Sequence, residues 1–262
     1  MDRASKLADG RKARHCRSRT AGTNHGKDRH FPPDGPYPPR MKVTTTLASC
    51  RTPDGALMVL QEHDGQHYLK IGGVPLMSTT ASYSEQHMAE LACSALPAKP
   101  RVLIGGLGFG FTLRRVLELS PPDAVVDVAE LLPEVIALNR EFLQSVNGAL
   151  LDDPRVRIHV RDVGELIDRC GQNRYHAILL DVDNSPDPLV QQGNARLYNR
   201  GGITRTKSAL HPQGRVVFWS ANRDKHFADS LGRVFKRVEC VGAKAYPQAK
   251  KITHTLFVAD RD

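Results

Sequence analysis

Short apolar and β-branched runs open the patterned part of the chain: VTTTLAS, ALMVLQE and HYLKIGG, separated by TPDG and HDGQ, lie between Lys42 and Met77. Asp-Gly between such runs predicts hairpins, so this stretch reads as a small β-rich unit. In residues 82–96, SYSEQHMAELACSAL, the positions Met88, Leu91, Ala92 and Leu96 recur at helical spacing, and Pro97 stops the predicted helix. Past Pro100 the texture changes to strand and helix in alternation. RVLIGG is a strand, FTLRRVLEL a helix, AVVDVAE a strand and PEVIALNREFLQ a helix; RVRIHV, AILLDV and RVVFWS are the third, fourth and fifth strands, with helices near 163–169 and 194–210. RVFKRVEC and ITHTLFVAD, either side of a turn at Tyr246-Pro247, read as a terminal antiparallel pair. Uninterrupted apolar strands alternating with helices predict an α/β fold built on a seven-stranded, mostly parallel sheet, preceded by the small β-rich segment.

Residues 1–40 lack this patterning. They mix Arg, Lys, Gly, His and Pro with almost no aliphatic residue, so they bury too little surface to offset chain entropy, and disorder is expected there. The divisions are therefore 1–40, a basic tail; 41–81, the β-rich unit; and 82–262, the Rossmann-like domain. Because patterning begins just after Met41, that methionine is a candidate natural start. The net charge of +9 belongs mostly to the tail, which holds ten Lys/Arg against four Asp/Glu. Its segment KARHCRSR has no aromatic residue to stack a base, so a solvated tail is expected in place of a nucleic-acid partner. No apolar run is long enough to span a membrane, and a cytoplasmic location is the default. The five cysteines, at 16, 50, 93, 170 and 240, have neither CxxC nor Cys/His ligand spacing and read as reduced thiols, with no metal site expected.

The candidate chemistry sits at strand ends. Gly105-Gly106-Leu107-Gly108-Phe109-Gly110 joins the first strand to its helix, where glycines let a ligand approach the backbone and the helix N–H groups face it. Gly106, Gly108 and Gly110 form a tight G-x-G-x-G, distinct from the dinucleotide G-x-G-x-x-G. Glu130 closes the second strand, at the place where an acidic side chain accepts both ribose hydroxyl protons. Asp162 follows the third strand and Asp181 the fourth, and ligands of open α/β sheets collect at these carboxyl ends. The joint pattern predicts a nucleoside site, and a carboxylate beside a bound sulfonium would attract an amine and take its proton.

In the order of these motifs the chain resembles the spermidine synthases, the polyamine aminopropyltransferases, over about residues 42–262. The specific parts are VAELLPEVIALNREFL followed by LDDPRVRIHVRD, with Tyr83-Ser84-Glu85 where the family has Tyr-His-Glu and Asp181-Val182-Asp183-Asn184-Ser185 where it has an Asp-rich loop. The resemblance implies a class I S-adenosylmethionine-type fold and transfer of an aminopropyl group from decarboxylated S-adenosylmethionine to a polyamine such as putrescine. It further implies that Gly106, Gly108 and Gly110 line the methionine-derived portion, Glu130 holds the ribose, Asp162 holds the adenine amino group, and Asp181 is the catalytic acidic residue facing the amine. Tyr83, Glu85 and Asp183 would contact the substrate, and a homodimer is common in the family. The family's first loop carries an Asp where this chain has Gly108, and Ser84 stands in place of its His. An S-adenosylmethionine-dependent methyltransferase, or a non-catalytic binding protein on the same fold, are the alternatives. Glu130→Ala is expected to weaken nucleoside binding with little loss of folding stability.

Overall fold

The computed structural model describes residues 42–52, 55–182 and 195–262. The expectations for the basic tail, for Met41 and for Asp183 lie outside these residues. The small unit is a four-stranded antiparallel sheet in the order β1 (Thr45–Arg51), β2 (Leu57–His63), β3 (Gln66–Ile71), β4 (Val74–Ser78). His63 pairs with Gln66 across Asp64-Gly65, and both loop residues have positive φ (54° and 74°), as a tight two-residue hairpin turn requires. Gly72-Gly73 repeats the device between Ile71 and Val74. The sequence pattern missed β4 because Pro75 interrupts it; the proline is tolerated because β4 is an edge strand, where a missing N–H need not break a ladder.

The helix expected over 82–96 is shorter: α1 spans Tyr83–Ala92. Its last carbonyls are taken elsewhere, since Leu91 O accepts from both Ser94 Oγ (3.1 Å) and Arg215 Nη1 (2.9 Å). The chain then alternates through β5 (Arg101–Gly105), α2 (Phe111–Leu119), β6 (Val125–Glu130), α3 (Pro133–Glu141), α4 (Gln144–Asn147), β7 (Val156–Val160), α5 (Val163–Arg169) and β8 (Tyr175–Leu180). It finishes with α6 (Ala195–Tyr198), α7 (Arg200–Ala209), β9 (Leu210–Ser220), α8 (Lys225–Gly232), β10 (Arg237–Ala243) and β11 (His254–Asp260). The single helix expected near 194–210 is thus divided. Asn199 breaks it by capping α7, its side-chain oxygen accepting from Gly202 N at 2.9 Å. The pattern did not reveal α8, which Asp224 caps by accepting from Phe227 N at 3.0 Å.

The main sheet has the order β10-β11-β9-β8-β5-β6-β7, with β9, β8, β5, β6 and β7 parallel and β11 and β10 antiparallel, as the alternation implied. Its central strands are apolar on both faces because each face is covered. Ile104, Val128 and Leu179 join α1, α2, α3 and the small sheet's Met58, Leu60 and Leu69 in one cluster. Leu103, Ile178 and Phe218 pack against Ile167, Ile203, Phe227 and Leu231 in the other. From β5 the chain winds outward to β7, then returns to β8 on the far side of β5. The crevice at the carboxyl ends of β5 and β8 is the topological switch point where this class of sheet binds ligands. Among the described residues, no helix is long and apolar enough to cross a membrane, and cysteines 93, 170 and 240 are free thiols.

Candidate nucleoside and amine site

Three strand ends are laced together at the switch point. Gly106 N donates to Ala129 O and Asp181 N donates to Gly105 O, both at 2.9 Å. At Gly106 φ is +89°, and a Cβ there would lie 2.3 Å from the carbonyl oxygen of Asp181, so only glycine lets the two strand ends close this tightly. Gly108, also at positive φ, is overlain by Met77 of β4, whose Cε would stand 3.3 Å from an added Cβ. The loop is fixed from behind by two buried side chains that sequence reasoning did not single out. Asn139 Nδ2 donates to Gly108 O at 2.8 Å and Asn147 Nδ2 donates to Phe109 O. The sequence signal for Asn139 was an amide among the apolar buried positions of α3, Val135, Ile136 and Leu138; the short α4 gave none for Asn147.

Glu130 ends β6 with 7% of its surface exposed. One carboxylate oxygen accepts from Leu107 N and the other from Leu132 N, each at 2.9 Å, tying the glycine loop to the turn that starts α3. Burial pushes its carboxyl above the usual range, and the N–H donors of Leu132 and Leu107 oppose that push. The expectation that Glu130→Ala would spare stability is corrected by these bonds, because the substitution strips partners from two backbone N–H groups. The N–H groups of Leu131 and Gly108 also face the carboxylate and oppose the same push.

Asp162 caps α5, its Oδ1 accepting from Glu165 N at 3.2 Å and pairing with Arg196 Nη2 at 2.6 Å. Both contacts fall on Oδ1, so they do not use Oδ2. On α1, Ser84 is buried and its hydroxyl donates to Glu85 Oε2 at 2.6 Å. Burial raises the Glu85 carboxyl and the Ser84 hydroxyl opposes it.

A cavity of about 540 Å³ lies over the carboxyl edge of the sheet and under the small sheet. Gly106, Gly108, Glu130, Asp162, Asp181 and Glu85 all line it, so most of the expected site residues converge. Two do not line it. Gly110 faces the other way: it caps α2, and a Cβ there would meet Leu150 at 3.1 Å and Asn139 Oδ1 at 3.3 Å, so its role is packing. Tyr83 turns aside at the start of α1, its N–H bonded to Ala245 O and its ring 6.3 Å from that of His87. Sequence reasoning missed Trp219 and His254, which line the cavity from the ends of β9 and β11 with their rings 4.7 Å apart. Burial lowers the His254 imidazole below its usual value, which keeps it neutral near pH 7.

A family model described as the spermine/spermidine synthase domain matches residues 81–251, well over half of the chain. A polyamine aminopropyltransferase 1 of Hyperthermus butylicus is 27% identical over 242 residues, covering 88% of this chain and 80% of the relative. A polyamine aminopropyltransferase of Prochlorococcus marinus (strain MIT 9515) is 27% identical over 164 residues, and there the match spans 60% of this chain and 56% of the relative's length. Among solved structures, the spermidine synthase of Thermotoga maritima superposes with a TM-score of 0.66 at 19% identity, over 83% of this chain and 73% of the other. A spermidine synthase in complex with the transition state analogue AdoDATO gives 0.67 at 18% identity, covering 83% and 72%. The fold is the one these enzymes share, and by the match over residues 81–251 the chain belongs to the spermine/spermidine synthase family.

Proposed function

We propose that the chain is an aminopropyltransferase that moves the aminopropyl group of decarboxylated S-adenosylmethionine to the nitrogen of a small-molecule amine. The observation that carries this is the order of groups along the sheet edge, in a chain of this family. Asp162, Glu130, the glycine loop and Asp181 follow one another on β7, β6, β5 and β8 around one cavity. The Glu130 carboxylate suits the two ribose hydroxyls, and Oδ2 of Asp162 suits the adenine amino group. A buried carboxylate needs donors of this kind to remain ionised. Gly106 brings the backbone close at the point where the nucleoside's sulfur would lie, beside Asp181.

At that point the acceptor amine must present a lone pair. Asp181 draws the amine in and takes its proton; the nitrogen forms a bond to the propyl carbon as the carbon–sulfur bond breaks, and that electron pair stays on sulfur. The products are the N-aminopropylated amine and methylthioadenosine. Asp181 and the glycine loop orient the amine opposite the leaving sulfur, and the small sheet and α1 keep bulk water from the reacting atoms. Asp183, expected on the acceptor side, lies outside the described residues.

Names of the relatives put polyamines among the acceptors to assay, with putrescine first. The test is release of methylthioadenosine from decarboxylated S-adenosylmethionine, across a panel of primary amines that includes putrescine. Amine-dependent release supports the proposal. Tighter binding of the carboxylated form, with methyl transfer and no methylthioadenosine, would overturn it in favour of the methyltransferase alternative, which the family match does not favour.

A further inference from the structure

One helical turn, α6, ties together two strand ends of the cavity. Its Arg196 Nη2 lies 2.6 Å from Oδ1 of Asp162, after β7, and its Tyr198 hydroxyl donates at 3.3 Å to the carbonyl of Val182, after β8. Asp162 and Val182 both line the cavity, whereas Arg196 does not. The turn is itself anchored, because Leu197 is buried and the Tyr198 ring packs 5.2 Å from Phe227 and 6.0 Å from Phe218. Arg196 therefore reaches Asp162 from a fixed backbone, which limits the entropy lost in holding a long side chain in one place. Gly164, in the first turn of α5, leaves room for the contact. A Cβ there would stand 2.9 Å from Asp162 Oδ1 and 3.3 Å from Arg196 Nε.

The contact does little for stability, because the Arg196 side chain is 43% exposed and ion pairs that solvent reaches are weak. It does more for direction. The terminal torsion of an aspartate is broad, and the helix-cap bond from Glu165 N, at 3.2 Å, fixes one oxygen without fixing the carboxylate plane. The charge-assisted bond from Arg196 reaches that same oxygen from a second element. With both donors on Oδ1, Oδ2 is the oxygen that meets a ligand. A carboxylate only accepts hydrogen bonds, so it favours a base bearing an amino group and opposes one bearing a carbonyl oxygen at that place. We propose that Arg196 is a positioning residue for base recognition: by holding Oδ1 it aims Oδ2 of Asp162 at the exocyclic amino group, and so sets the preference for a 6-amino over a 6-oxo purine. The inference rests on the nucleoside placement given above and adds to it a residue outside the cavity.

The test is calorimetric binding of methylthioadenosine and of methylthioinosine, which carries a carbonyl oxygen in place of the amino group. Wild type should bind methylthioadenosine about tenfold or more tightly than methylthioinosine. Arg196→Met removes the donors and keeps an unbranched side chain; it should lower that ratio about three- to tenfold, and Arg196→Lys should restore part of it. Gly164→Ala keeps both charges but crowds their contact, so it should lower the ratio in the same direction. In an Asp162→Ala background, Arg196→Met should change the ratio by less than about twofold, because its effect passes through the carboxylate. An unchanged ratio in Arg196→Met, or an equal loss of both nucleosides, would overturn the inference and leave the nucleoside placement standing. Equal binding of the two nucleosides by wild type would remove Asp162 from base recognition, and binding of neither would sink the nucleoside reading itself; the inference falls with either.

Discussion

Replacing Glu130 separates two roles that the fold assigns to one side chain. Its two oxygens each hold a buried backbone N–H at 2.9 Å, from Leu107 and from Leu132. A buried donor left without a partner costs about 1–3 kcal/mol. Glu130→Ala orphans both, but it also relieves the burial of a carboxylate, so the net loss is about 2–4 kcal/mol. Glu130→Gln keeps one carbonyl acceptor and turns an NH₂ toward the other N–H, so it should lose about 1–3 kcal/mol. Urea unfolding of the ligand-free protein, followed by far-ultraviolet circular dichroism, would rank wild type above Gln above Ala. Binding is a separate readout: removing the acceptor of two ribose hydroxyls should weaken methylthioadenosine by about 1–3 kcal/mol, roughly 5- to 150-fold. An unchanged urea midpoint for Glu130→Ala would refute the structural role, and unchanged nucleoside affinity in a folded variant would refute the binding role.

Gly106→Ala should destabilise the fold by at least about 1–3 kcal/mol, because φ is +89° and the new Cβ would meet Asp181 O at 2.3 Å; thermal unfolding measures it. Asp181→Asn should cut methylthioadenosine release by about 10²-fold or more while calorimetry finds nucleoside affinity nearly intact, and an equally active variant would remove Asp181 from proton transfer. The raised carboxyl of Glu85 contributes stability in its protonated form, present below the unfolded value near 4.5 and lost as pH rises through the higher folded value. Urea midpoints of wild type and Glu85→Gln, compared from pH 4 upward, should therefore show the wild type's relative stability falling as pH rises; a constant difference would mean that Glu85 titrates normally.

Much of this was legible in the chain because strands buried on both faces are mostly apolar, and their carboxyl ends can be found by reading to the glycine or carboxylate at which the apolar run gives way to a turn. Glu130, Asp162 and Asp181 stood out for that reason. What stayed hidden depends on neighbours distant in sequence. That Glu130 binds its own backbone is visible only once Leu107 and Leu132 are folded onto it. Gly110 carries the same letter as Gly106, yet its neighbours are Leu150 and Asn139 instead of the cavity. On α1 the helix start decides which residues point inward, so Ser84 and Glu85 face the cavity and Tyr83 does not. Trp219 and His254 meet only because β11 runs antiparallel beside β9, and Pro75 concealed the strand that lays Met77 over the glycine loop.

A crystal structure with bound methylthioadenosine tests the central claim most directly. The account predicts the ribose hydroxyls within hydrogen-bond distance of Glu130, and the thioether sulfur beside Gly106 and Asp181 with its exposed side toward Trp219. A nucleoside bound outside this cavity, or lying in it with its sugar away from Glu130, would contradict the account.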